Sequence, residues 1–130
     1  MLQYIVDFYE RPEPTETDLK GLISHLLDHP SGGLQFVAEE NGELLGFTTL
    51  YFTFSTLSVK KQAILNDLFV VPHARGKTVG EKLFKTNLAY IRENDFVSMT
   101  WETAKDNVVA QSLYKKMGGQ LADWLLYEIS

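Results

Sequence analysis

Two groups of residues in this 130-residue chain have types and spacing that fit chemistry. The first is Arg75-Gly76-Lys77-Thr78-Val79-Gly80, which follows an apolar run ending in Val70-Val71-Pro72. A strand, a basic glycine-bearing loop and a helix start in this order aim free backbone N–H groups and a positive dipole end at one point. That point attracts phosphate. The second is Asn107, Ala110 and Tyr114, separated by three and four residues and therefore on one helix face.

The elements that must position these groups are legible. Residues 2–9 are rich in β-branched and aromatic types and read as a strand, ended by Pro12 and Pro14. Thr15 or Thr17 can cap a helix to about Asp28. Residues 34–39 and 44–54 read as strands joined at Asn41-Gly42, a strong hairpin signal. Residues 63–71 read as a central strand, and residues 76–92 as a helix with Val79, Leu83, Phe84, Leu88 and Ile91 on its buried side. Residues 96–103 read as a strand, 106–117 as a helix stopped by Gly118-Gly119, and 121–129 as a last strand. The order β-α-β-β-β-α-β-α-β predicts a single α/β (α+β) domain over residues 1–130, with a mixed sheet that is antiparallel in its first half.

Three readings compete for the loop. Gly76-Lys77-Thr78 matches the end of G-x-x-x-x-G-K-[ST], but the first glycine of that motif falls on Val71. Nucleotide hydrolysis is therefore disfavoured. A purely structural turn is the second reading. It leaves unexplained Arg75 and Lys77 beside a helix start, where positive charge opposes the dipole. The third reading is a pyrophosphate site.

Here the chain resembles the GNAT superfamily of N-acetyltransferases. That family's signature, Q/R-x-x-G-x-G/A after a V-x-P turn, is met by Arg75 and Gly80, with Thr78 in place of the middle glycine. Downstream, Asn107, Ala110 and Tyr114 fit the family's N-x-x-A-x-x-x-Y helix, closed by Gly118. The resemblance covers roughly residues 35–130. It is nearest to the diamine and small-amine branch, through Tyr51-Phe52-Thr53-Phe54-Ser55-Thr56 and Asn66-Asp67-Leu68-Phe69-Val70. It implies a GNAT-like domain with central strands splayed at an acyl-CoA site, and direct acetyl transfer from acetyl-CoA to a primary amine of a small molecule or peptide. The backbone of Leu68, Phe69 and Val70 would bind the pantetheine arm. Arg75 and the amides of Gly76, Lys77, Thr78, Val79 and Gly80 would hold the pyrophosphate. Asn107, with Ala110 on its helix face, would line the arm, and Tyr114 would protonate the leaving thiolate. A non-catalytic acyl-CoA-binding module on the same fold is the alternative.

The chemistry suits these types. An alkylamine has a pKa of about 10.4, so freeing its lone pair at pH 7 costs roughly 4–5 kcal/mol and a base helps. Diamine acetyltransferases carry a glutamate where this chain has Asn66. Strand alternation places Asp67 on the opposite face. Glu102, read on the neighbouring strand, and a water held by Asn66 are further candidates, and the base stays open.

Composition narrows the partners. The formal net charge is −5, against nucleic acid as a main partner and compatible with a cationic substrate. The absence of cysteine removes thiolate nucleophiles and cysteine metal sites, and His25, His29 and His73 lack metal-ligand spacing, so no metal is expected. No apolar run is long enough for a bilayer and the N-terminus does not read as a signal peptide, so no membrane partner and a cytoplasmic location are expected. The segment before residue 34 is short. It predicts an open acceptor side completed by the second copy of a homodimer.

Overall fold

Asn41 and Gly42 both adopt positive φ, 52° and 80°, and turn the chain into the hairpin their types predict. The structure, a computed structural model, describes residues 16–76 and 78–130. The strand expected over residues 2–9 lies outside the described residues, as does Lys77. In chain order the elements are α1 (Glu16–Asp28), β1 (Gly33–Glu40), β2 (Glu43–Ser55), β3 (Lys60–Val70), a 3-10 turn (Pro72–Ala74), α2 (Val79–Glu93), β4 (Ser98–Thr100) and α3 (Val108–Lys116).

The sheet order is β1-β2-β3-β4. β1 with β2 and β2 with β3 are antiparallel, and β4 lies parallel to β3 after the crossover through α2. The mixed, mostly antiparallel sheet is as expected. Leu50, Ala63 and Leu65 of the sheet bury against Phe84 and Ile91 of α2, with Met99 of β4. Asn87 is fully buried on α2 and donates to Thr48 Oγ1 at 2.8 Å and to the Leu83 carbonyl at 2.6 Å, tying α2 to β2. On the other face, α1 sets Leu26 over Gly33 beside Tyr51.

Two expected strands differ. The one read over residues 96–103 narrows to Ser98–Thr100. Phe96 turns inward onto Phe52, ring centroids 4.9 Å apart, and Trp101 packs edge-on against Phe84 at 5.1 Å. Aromatic burial at both ends takes these residues out of the ladder. Residues 121–129 form no strand and are exposed: Leu121 and Ile129 fully, Trp124 at 89%. A strand exists through its neighbour's hydrogen bonds, and the three residues of β4 offer a very short edge.

Candidate active site

Local geometry explains the loop. β3 ends at Val70, Pro72 opens the 3-10 turn, and Arg75 returns to extended backbone. Gly76 has φ 82° and Thr78 has φ 66°, so two residues of the loop before α2 are left-handed. Left-handed residues in a loop ahead of a helix start favour backbone N–H groups that converge on an anion. Thr78 is the N-cap of α2, and its side chain makes no capping bond. The positive φ at Thr78 gives a backbone reason for the glycine that the family signature has at this position. A β-branched residue in the left-handed region carries strain.

Arg75 is held by the strand end. Its Nε donates to the Val70 carbonyl at 2.9 Å, and its guanidinium lies 5.4 Å from the Phe69 ring centroid. Phe69 and Val70 are buried and Leu68 is half-buried. Gly80, on the first turn of α2, faces Leu68 and Val70. Glu81 accepts hydrogen bonds from Lys85 and Lys116, each at 3.1 Å, and these lysines hold its carboxyl below the usual range. Its link from α2 to α3 is therefore intact above the ordinary carboxylate range and is lost as pH falls through the lowered value.

The third part of the site is the end of a ladder. β3 pairs with β4 at Gln62, Ala63 and Ile64 against Ser98, Met99 and Thr100, and the pairing stops there. Both chains run on past it, β3 toward the loop and β4 toward α3. The opening of the sheet thus lies between the loop and α3.

Asn107 is the N-cap of α3, its Oδ1 accepting from the Ala110 amide at 3.2 Å. The helix therefore starts at Val108, two residues later than expected. Tyr114 follows on the same face, its ring 5.8 Å from Phe84 and 5.3 Å from Trp101. Burial pushes its phenol above the ordinary value. Among the described residues no hydrogen bond holds its hydroxyl. α3 therefore packs on the α2 face of the sheet through Tyr114, whose phenol stays protonated at neutral pH.

Asp67 departs from the sequence reading. Thr49 pairs with Asp67 and Leu50 with Leu65, so Asn66 is an extra, bulged residue in β3. Leu65 and Leu68, three apart, both pack on the α2 face. Alternation is broken between them, and Asn66 and Asp67 stand side by side, Asn66 Nδ2 donating to Asp67 Oδ2 at 3.2 Å. The expectation that Asp67 faces away from Asn66 is thus wrong. A signal was present: the apolar positions shift phase from 63 and 65 to 68 and 70, but Ile64 and Phe69 mask it. Glu102 is exposed and lies beyond the end of β4, not on a strand.

An open cleft of about 890 Å³ runs between the β1–β2 hairpin and α2, lined by Glu39, Glu43, His73, Val79 and Lys82 among others. Neither Asp67 nor Tyr114 reaches it.

This arrangement matches known proteins. A family model, that of the acetyltransferase (GNAT) family, covers residues 1–119. The chain belongs to the GNAT family. It is 42% identical over 112 residues to the uncharacterized N-acetyltransferase YhfO of Bacillus subtilis (strain 168), covering 86% of this chain and 74% of that protein. It is 26% identical over 116 residues to the mycothiol acetyltransferase of Renibacterium salmoninarum, covering 85% of this chain and 33% of that protein. A crystal structure described as a probable acetyltransferase superposes with a TM-score of 0.87 at 32% identity, over 99% of this chain and 85% of that one. This GNAT protein is therefore an N-acetyltransferase, and its family uses acetyl-CoA as co-substrate. No helix among the described residues is long and apolar enough to cross a membrane, and among them no cluster of His, Asp or Glu could hold a metal ion.

Thr78→Gly should relieve about 1 kcal/mol of left-handed strain and raise the Tm by a few degrees. A fall in Tm by calorimetry would show that the threonine side chain, not the backbone, governs this position.

Proposed function

We propose that this GNAT protein transfers the acetyl group of acetyl-CoA directly to the primary amine of a small cationic molecule. What supports this reading is the buried, protonated Tyr114 phenol on α3, packed against Phe84 and Trp101, together with a loop before α2 in which Gly76 and Thr78 both take positive φ. In this reading the amides of Gly76, Lys77, Thr78, Val79 and Gly80, with Arg75, hold the pyrophosphate. The backbone of Leu68, Phe69 and Val70, beyond the β3–β4 ladder, takes the pantetheine arm, and Asn107 offers its amide N–H while its oxygen caps α3.

The amine nitrogen attacks the thioester carbonyl carbon, forming the C–N bond, and the C–S bond then breaks. Tyr114 gives its proton to the departing sulfur, and the phenol is restored by the proton shed from the acetylated nitrogen. An ammonium has lost two protons by the end, one to the thiol and one to solvent. Direct transfer needs no enzyme nucleophile, in keeping with a chain free of cysteine.

The small-amine acceptor is supported by the net charge of −5 and by the Tyr51-to-Val70 likeness to that branch. A homodimer is supported by the apolar residues 121–129, exposed on one copy. A panel of polyamines, lysine analogues, D-amino acids and peptides, incubated with acetyl-CoA, should release free thiol with at least one small amine. If no acceptor gives turnover and acetyl-CoA does not raise the Tm, the reading fails.

A further inference from the structure

We infer that residues 121–129 form a dimerisation arm, which pairs antiparallel with the same residues of a second copy in a register centred on Leu125; this rests on the homodimer reading above. The root of the arm is fixed. Gly119 donates its amide to the Tyr114 carbonyl at 2.8 Å, and Gly118 donates to the Lys115 carbonyl at 3.1 Å. Gly119 lies so close to Trp101 that a Cβ there would sit 2.8 Å from the indole ring. The chain therefore leaves α3 in a set direction, which lowers the entropy lost when a partner orders it. Beyond this root every residue to 129 is exposed, although Leu121, Trp124, Leu125, Leu126, Tyr127 and Ile129 are large and apolar.

The area of the arm matches a second protein chain. Trp124 and Tyr127 together offer roughly 300–500 Å² of contact, about what a monomer leaves in its largest apolar patch. The four aliphatic side chains carry the total toward the ~800 Å² that each partner of a stable interface covers. Among the described residues no strand pairs with the arm, and the chain's own β4 is three residues long, too short an edge for it. A second arm is as long as the first. The sequence is also self-complementary. With Leu125 opposite Leu125, Leu121 meets Ile129 and Trp124 meets Leu126. Both acids then fall opposite uncharged residues, Asp123 facing Tyr127 and Glu128 facing Ala122. Moving the centre to Leu126 sets Trp124 against Glu128 and Asp123 against Ile129, and moving it to Trp124 sets Asp123 against Leu125. A two-fold axis through Leu125 gives the closed, isologous contact of a homodimer.

The chain has no cysteine, so one introduced thiol reports the register without background. In sedimentation the wild-type chain should run at twice its own mass. Leu125→Cys should cross-link to itself under mild oxidation, because directly opposed strand residues lie about 4.5–5.5 Å apart at Cα, within disulfide range. Leu121→Cys should stay free on its own, since its two copies stand about 26 Å apart along the ribbon. Mixed with Ile129→Cys and allowed to exchange, it should cross-link. Trp124→Ser combined with Leu126→Ser should sediment as a monomer that still melts cooperatively, as both side chains are exposed in one copy. A wild-type chain that sediments as a monomer overturns the homodimer reading and the arm with it. A dimer in which Leu125→Cys stays free, in which Leu121→Cys cross-links alone as readily, or which survives the paired serine substitutions overturns the arm alone.

Discussion

Tyr114→Phe should cut kcat by about a hundredfold or more while acetyl-CoA protects the variant against heat as well as it protects the wild type. The ring already fills its place between Phe84 and Trp101, and phenylalanine keeps those contacts. The hydroxyl, with no hydrogen bond among the described residues, is what the substitution removes. The fold therefore loses little and the leaving thiolate loses its donor. Burial raises the phenol above 10, so the group is protonated throughout the neutral range. Activity that depends on it should be flat on its account from neutral pH upward and fall only as pH rises through the raised value. In Tyr114→Phe that basic limb should vanish. A variant with wild-type kcat would make Tyr114 a packing residue and remove the acid from the mechanism.

Gly46→Ala should cost about 2–4 kcal/mol and lower the Tm by on the order of 10 °C. A Cβ at position 46 would lie 2.5 Å from the Phe69 carbonyl oxygen and 3.3 Å from the Val70 Cα. Those are backbone atoms of the neighbouring strand and cannot rotate away. Gly46 pairs with Val70, so the strain falls on the end of β3, where Leu68, Phe69 and Val70 frame the opening. Acetyl-CoA should therefore raise the Tm of Gly46→Ala less than that of the wild type. Thermal unfolding with and without acetyl-CoA reads both effects; an unchanged Tm would contradict the tight β2–β3 approach.

The sequence made the loop and the Tyr114 helix visible because both rest on local rules. Glycine positions, helix spacing and a capping asparagine act within a few residues. The Oδ1 of Asn107 caps α3. Non-local features were harder. The bulge at Asn66 depends on how β2 pairs with β3, and an apolar run such as Ile64-Leu65 to Leu68-Phe69 hides a change of phase. Residues 121–129 have strand-like composition, but composition says nothing of an available edge, and β4 provides three residues. The left-handed φ of Thr78 was also invisible, because a sequence does not reveal φ.

A crystal structure with acetyl-CoA bound tests the central claim most directly. The account predicts the pyrophosphate on the amides of the Gly76–Thr78 loop and α2, the pantetheine arm along β3 past Ile64, and the thioester sulfur within hydrogen-bond reach of the Tyr114 hydroxyl. Acetyl-CoA seated instead in the cleft between the β1–β2 hairpin and α2, with Tyr114 remote from the sulfur, would contradict it.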